Sequence, residues 1–211
     1  MIELKPVAWN TVIAGKWNPA ILTPKGIAEH IFRKTEDTPI EVLVPLDAIG
    51  PPKVKIEGLF VSANFDRLII DCEKNNWEAL DKSRKYCCNA IDSLPKTPLS
   101  AVGFNIRYEF GEPNSEFLEL LKPTLDDSIS DNLLEIAEKE TRRSLLWKDG
   151  TINLHIVMRE STNYQILLNF DRKSVDINIL KKWLSLPIKD VQAITKTIMC
   201  SVLKTCEEDE I

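Results

Sequence analysis

The fold of this chain is decided by the stretch INLHIVMRESTNYQILLNFD, residues 152–171. Apolar and polar residues alternate on both sides of Ser161-Thr162-Asn163. A period of two is typical of strands with one buried face, and asparagine tolerates the backbone geometry of turns. The stretch therefore predicts a β-hairpin with strands at Ile152–Glu160 and Tyr164–Asp171.

The same alternation occurs along most of the chain and predicts eight strands in all. Short loops between several of them, such as Asn64-Phe65-Asp66, indicate antiparallel pairing. The six other predicted strands are Val7–Ala14, Ile40–Leu46, Val54–Ala63, Arg67–Cys72, Ala101–Phe110 and Glu140–Trp147.

Capping residues followed by an apolar period of 3.6 residues predict the helices. Thr23-Pro24 offers an N-cap hydroxyl and a proline at the first helical position. Asn75 and Glu78 resemble a capping box. The predicted helices run from Pro24 to about Arg33, from Asn75 to Leu94, from Ser128 through Leu133–Ala137, from Asp176 to Leu184, and from Ile188 to about Lys204.

The order of predicted elements repeats, which indicates two similar halves. A shift of 98 residues aligns the hairpins in phase, and a shift of 95 aligns the first strands. Few positions are identical, so coincidence of two amphipathic patterns stays an alternative. The aligned segments are Val54–Phe60 with Ile152–Met158, Leu68–Lys74 with Ile166–Arg172, and Val7–Asn10 with Val102–Asn105.

These patterns predict an α+β protein with largely antiparallel sheets and helices packed on one face. Each half is expected to have the order β-α-β-β-β-α, with the first half at residues 1–95 and the second at residues 99–206. The acidic residues 207–211 are expected to form a flexible tail.

Composition narrows the classes of function. A net charge of −5 argues against a protein that binds nucleic acid by neutralising phosphates, although Arg142-Arg143 is one adjacent arginine pair. Apolar residues make up 44% of the chain, but no apolar run approaches the length of a membrane helix, about 20 residues. The sequence therefore predicts an ordinary globular protein that does not act in a membrane.

The five cysteines lack the spacing of a disulfide framework or a zinc site, and the N-terminus resembles no export signal. These features predict a cytoplasmic protein whose thiols at Cys72, Cys87, Cys88 and Cys200 are reduced and mostly buried. The sequence also contains no GxGxxG or GxxxxGK string for nucleotides and no GxSxG string for a nucleophilic serine. We expect no metal and no cofactor.

Outward-facing polar side chains form the candidate binding site. In Ile152–Glu160 and in Ala101–Phe110 the apolar residues take the even-numbered positions, which places the polar ones on the opposite face. If the two strands lie near one another, this face can bind an anion or a carboxylate; the alternative is a solvated face with cross-strand charge pairs. The candidate binding residues are Asn105, Arg107, Glu109, His155 and Arg159, with Asn153 beside them.

Two classes of function remain open, so the sequence leaves it undecided whether the chain is an enzyme. The acidic balance, the two histidines and the missing motifs favour a non-enzymatic protein that binds a protein partner or a small ligand, with homodimer formation as one form of interaction. The alternative is an enzyme acting on an anionic metabolite. In that alternative Arg107 or Arg159 binds the charge and His155 is the general base, oriented by Glu109.

Overall fold

The computed structural model describes residues 2–34, 38–45, 51–159 and 163–206, and within them ten strands form one antiparallel sheet. The strands are β1 Lys5–Pro6, β2 Asn10–Gly15, β3 Glu41–Leu43, β4 Lys53–Ile56, β5 Leu59–Ala63, β6 Arg67–Cys72, β7 Leu99–Phe110, β8 Glu138–Trp147, β9 Gly150–Arg159 and β10 Asn163–Lys173. Their order across the sheet is β3-β4-β5-β6-β2-β7-β10-β9-β8, and β1 also pairs with β7.

The described helices pack against one side of this sheet. They are α1 Pro24–His30, α2 Trp77–Ser93, α3 Ser115–Leu120, α4 Thr124–Asp131, α5 Ile177–Leu184 and α6 Ile188–Lys196, followed by a π-helical turn at Thr197–Val202. The predicted α+β class with an antiparallel sheet is confirmed. In the described parts of the chain, no helix combines the length and the apolar character needed to cross a membrane.

Alternating side chains of the central strands build the core beneath these helices. In β7, Phe104, Ile106 and Tyr108 are buried, and the residues between them are less so. Phe104 stacks on Phe170 of β10 with ring centroids 4.7 Å apart, and Trp183 of α5 covers Phe104. One continuous apolar core therefore lies between the sheet and the helices.

A buried arginine of α2 joins this helix to the C-terminal end of α5. Arg84 of α2 is only 1% exposed, and its Nε donates to the carbonyl of Leu184 at 2.8 Å. A second guanidinium nitrogen donates to the carbonyl of Leu186, and the guanidinium carbon lies 5.1 Å from the ring centre of Phe104. Because the last carbonyls of a helix lack partners within the helix, Arg84 supplies donors for the end of α5. Burial lowers the pKa of this guanidinium.

Two predicted strands are interrupted by residues with positive φ. The predicted strand Val54–Ala63 is two strands, β4 and β5, because Glu57 and Gly58 have φ of 53° and 75° and form a two-residue hairpin loop. Val7–Ala14 is similarly broken at Ala8, where φ is 49°. Only Glu41–Leu43 of the predicted strand Ile40–Leu46 is a strand, and Leu46 lies outside the described residues.

The helix predicted after Ser128 is wrong. Ser128 lies inside α4, which spans Thr124–Asp131. No helix continues through Leu133, whose φ of 59° an α-helix cannot accommodate. The predicted start of α2 is also displaced by one residue. Asn76 is the N-cap, because the side chain of Asn75 instead accepts a hydrogen bond from the backbone N–H of Trp9 at 2.8 Å.

The expectation that Cys200 is a reduced thiol is wrong, because it forms a disulfide with Cys206. The two residues lie only six positions apart, at the turn that ends the last helix. Cys72 and Cys87 are buried free cysteines, and Cys88 is half-buried. The predicted acidic tail, residues 207–211, lies outside the described residues, as do Ser161 and Thr162 of the predicted hairpin loop.

The predicted duplication is not confirmed. The strand order β4-β5-β6-β2 in the first half resembles β8-β9-β10-β7 in the second. However, Val54–Phe60 crosses the turn between β4 and β5, whereas Ile152–Met158 lies entirely within β9, so this segment of the proposed alignment is wrong. A common origin of the halves stays a prediction.

Candidate functional site on the helix-free face

The side of the sheet opposite the helices, here called the helix-free face, carries the outward residues of the strands. β10 lies between β7 and β9, and its Leu167 is the cross-strand partner of both Arg107 and His155. Arg107 and His155 therefore share one face, two strand spacings or about 10 Å apart. The five candidate residues form two groups on this face: Asn105, Arg107 and Glu109 on β7, and His155 and Arg159 on β9.

A row of side-chain amides crosses this face and connects the two groups. The row begins at the hydroxyl of Ser144, which donates to the side-chain carbonyl of Asn153 at 2.8 Å. From there each side-chain amide nitrogen donates to the side-chain carbonyl of the following asparagine: Asn153 to Asn169 at 2.9 Å, Asn169 to Asn105 at 2.9 Å, and Asn105 to Asn10 at 2.7 Å. We call these four asparagines the amide row.

The amide row occurs because four neighbouring strands place an asparagine at the same level of the sheet. Asn10 pairs with Asn105, Asn105 with Asn169, and Asn169 with Asn153. Each side chain is half-buried, and a hydrogen-bonded partner removes the cost of an unpaired polar group. A register shift of one residue would break every link, so the row stabilises the observed register.

Asn105→Ala is expected to lower the free energy of unfolding by about 1–2 kcal/mol, because it removes two hydrogen bonds and leaves two half-buried amide groups without partners. Urea unfolding followed by circular dichroism measures the loss. Asn178→Ala on the exposed surface of α5 is the control and should change stability by less than about 0.5 kcal/mol. An equal effect of the two substitutions would show that the amide row adds no stability.

Arg107 is the unusual member of the first group. Its backbone is fixed, because its carbonyl accepts hydrogen bonds from the Trp9 indole at 3.0 Å and from the Val7 N–H at 2.9 Å. Its side-chain Nε is shielded from solvent and has no hydrogen-bond partner among the described residues. Nor does the guanidinium form an ion pair with any carboxylate in the described parts of the chain. The neighbouring Glu109 instead accepts a hydrogen bond from Gln165 at 2.8 Å.

The second group is already paired. Nε2 of His155 lies 3.4 Å from a carboxylate oxygen of Glu140 and 3.4 Å from Nε of Arg142, and Arg142 binds the same carboxylate at 2.7 Å. Burial opposes ionisation of Glu140, but hydrogen bonds and charge from Arg142 and His155 outweigh it and hold the pKa of this carboxyl below its usual range. Arg159 pairs with Glu138 at 3.4 Å.

A polar cavity of about 550 Å³ lies at one end of the helix-free face, beside the amide row. Asn153 and Ser144 line it together with Asp171 of β10. Burial raises the pKa of the Asp171 carboxyl, and the nearby Lys173 only partly offsets this. The cavity is of mixed charge, because its other charged lining residues are Lys148, Asp149, Arg172 and Lys173.

Sequence reasoning missed Asn10 and Asn169 as members of the site. The signal was present, because alternation in Tyr164–Asp171 also places Gln165 and Asn169 on the outward side. What alternation could not supply was the strand order, which brings β10 between β7 and β9. In the described parts of the chain, no cluster of three or more His, Cys, Asp or Glu side chains is arranged to hold a metal ion.

No known protein family, curated protein or solved structure was found to match the chain.

Proposed function

We propose that this protein is a non-enzymatic binding protein whose helix-free face holds an acidic segment of a protein partner, with Arg107 binding one of its carboxylates. The observation that supports this proposal is the unpartnered guanidinium of Arg107, whose Nε is shielded from water. Arg107 is half-buried, and no described carboxylate pairs with its guanidinium. A charge-assisted hydrogen bond from the rest of the guanidinium to an incoming carboxylate would supply that pairing. The other arginines that the described strands place on this face already have carboxylate partners: Arg67, Arg142 and Arg159.

The shape of the face favours an extended protein segment over a small molecule. Small-molecule sites are concave and enclose most of their ligand. Arg107 instead lies in the middle of an open sheet, between Asn105 and Glu109 on the same strand. The half-buried amides of the row offer further hydrogen-bonding groups along the path from Arg107 towards β9.

An enzymatic role is less well supported. His155 would be the general base, but its Nε2 already contacts both Glu140 and Arg142. Glu109 was expected to orient His155, yet it is bonded to Gln165.

Arg107→Met is expected to weaken binding of an acidic peptide by about 1.5–3 kcal/mol, the range for loss of a charge-assisted hydrogen bond. Methionine keeps the aliphatic bulk and removes the unpaired donor, so stability should stay within about 0.5 kcal/mol of wild type or rise. The probe is a dye-labelled peptide of alternating glutamate and threonine, titrated by fluorescence anisotropy. Urea unfolding of the same variant measures its stability.

Arg159→Met is the matched control, because Arg159 lies on the same face but is exposed and already paired with Glu138. Its affinity for the peptide should change by less than about 0.5 kcal/mol. Succinate, added as a competitor, shows whether a small dicarboxylate occupies the site equally well. The proposal fails if Arg107→Met retains full affinity, or if the variant unfolds so readily that Arg107 must be structural.

A further inference from the structure

A second surface, independent of the helix-free face, lies at the β8 edge of the sheet. β8 pairs with β9 on one side only, and the described residues supply no backbone partner for its other side. It is ten residues long, whereas β3 at the opposite edge has three. A long edge strand presents unpaired N–H and C=O groups to which an extended chain can add.

An apolar cavity lies on the helix side of this edge strand. It has a volume of about 270 Å³, and Thr141 of β8 forms part of its wall. An enclosed apolar cavity of about 150 Å³ is sufficient for benzene, so this one has room for a large aliphatic or aromatic side chain. Its apolar lining consists of Leu118, Leu121, Ile136, Ile156, Met158 and Tyr164.

Exposed leucines occur in the segment that covers this cavity. Leu133 is 93% exposed and Leu134 is 62% exposed, directly after α4. Leu133 also has a φ of 59°, a conformation that costs a leucine free energy. Leu118, which lines the cavity, and Leu125 of α4 are exposed as well. Clustered exposed apolar residues of this kind are typical of interaction sites.

The charge at the edge indicates what the incoming chain carries. Arg143 follows Thr141 on the helix side of β8, because the two residues pair with the buried Ile156 and Leu154. The guanidinium of Arg143 donates to the carbonyl of Arg142, and the described residues provide it with no carboxylate. Lys139, by contrast, is paired with Asp126. An acidic residue opposite Arg143 would complete the pairing across the edge.

A second copy of β8 is a poor occupant of this edge. When two sheets join with their helices on the same side, Arg143 faces a helix-side residue of the other β8. None of those residues is acidic, so no such register supplies a carboxylate, and several oppose like charges. The helix-side residues of β8 are Lys139, Thr141, Arg143, Leu145 and Trp147.

We propose that β8 binds an extended segment of a partner protein, which adds as a strand, inserts a large apolar side chain into the cavity beside Thr141, and places a carboxylate opposite Arg143 two residues along. The backbone groups of β8 provide affinity, and the cavity and Arg143 provide specificity. This surface uses none of the residues of the helix-free face that bind under the proposed function.

The test uses the full chain and short dye-labelled threonine peptides that carry one phenylalanine and, two positions away, one glutamate. Fluorescence anisotropy should show binding that falls at least about 10-fold when serine replaces the phenylalanine or lysine replaces the glutamate. Arg143→Glu should reverse the preference, so that the lysine peptide binds better than the glutamate peptide. Arg143→Gln removes the charge with the least structural change and should bind both peptides alike.

Two control variants separate this surface from others. Leu146→Ser removes an exposed leucine from the opposite face of the same strand, and Arg107→Met removes the anchor of the proposed function. Both should retain affinity for the glutamate peptide within about 2-fold. The proposal is overturned if no peptide of the set binds, if the glutamate and lysine peptides bind equally to wild type, or if light scattering shows a dimer that Arg143→Glu dissociates.

Discussion

Arg84→Ala is expected to lower the free energy of unfolding by about 3–5 kcal/mol, among the largest effects of any single substitution in this chain. The change leaves a cavity beside Phe104 and removes the donors that satisfy the carbonyls of Leu184 and Leu186. Because Arg84 joins α2 to the end of α5 within one continuous core, the loss should appear in a single cooperative urea transition followed by circular dichroism.

Arg84→Met separates the two contributions, because methionine fills the space but donates no hydrogen bond. We expect it to be less stable than wild type by about 1–3 kcal/mol, the cost of unpaired buried groups. Arg33→Ala is the control, since Arg33 is exposed and forms only a 3.7 Å surface ion pair with Asp92. A methionine variant more stable than wild type would mean that burial of the charge costs more than its hydrogen bonds return.

Trp9→Ala is expected to lower the free energy of unfolding by about 3–5 kcal/mol as well, because Trp9 is 2% exposed and its ring contacts both α2 and β7. Its ring lies 4.7 Å from that of Trp77 at the start of α2 and 5.8 Å from that of Tyr108 in β7. Its indole N–H holds the carbonyl of Arg107 at 3.0 Å, so the substitution should also weaken binding of the acidic peptide.

Thermal and urea unfolding by circular dichroism measure the effect of Trp9→Ala without depending on tryptophan fluorescence. Phe65→Ala is the control, since Phe65 is an exposed aromatic in a hairpin loop. It should change stability by less than about 0.5 kcal/mol. If Trp9→Ala lowers the free energy of unfolding by less than about 1 kcal/mol, packing of Trp9 against β7 does not stabilise the fold as expected.

Local patterns were sufficient for most elements of the fold. Thr23 does cap α1, with its hydroxyl accepting from the N–H of Gly26, and Asp176 caps α5. The loop Asn64-Phe65-Asp66 joins β5 to β6 as predicted. In each case the residues that determine the structure are close in sequence, so caps, turns and periodicity contain the necessary information.

Predictions failed where distant residues decide the local structure. Asn75 has the sequence position of an N-cap, but its side-chain oxygen accepts a hydrogen bond from the backbone N–H of Trp9, which lies 66 positions away. The leucines after Ser128 suggested a buried helical stripe, yet Leu133 and Leu134 are exposed. Cys200 and Cys206 have no spacing that signals a disulfide; the turn after the π-helical segment brings them together.

The sequence was sufficient to predict which side of the sheet the candidate residues occupy, but not which of them are neighbours. Alternation was enough to place Arg107 and His155 on one side of a sheet. The insertion of β10 between their strands, and the lack of a hydrogen-bond partner for the Arg107 side chain among the described residues, depend on strand order and side-chain packing. Neither property can be read from a single strand.

The hydrogen bonds of the amide row all run in the same direction across the sheet. Every amide donates towards β2, so the terminal donor is the amide nitrogen of Asn10, whose cross-strand partner on the other side is Asp71. Reversing one amide alone would set two carbonyl oxygens or two amino groups against each other, so the row can reverse only as a unit. The Asp71 carboxylate, which forms an ion pair with Lys53 at 2.8 Å, is an acceptor on the side of the terminal donor. We therefore expect that any substitution at Asp71 that reverses the preference of Asn10 would reverse every amide as far as Ser144, five strands away.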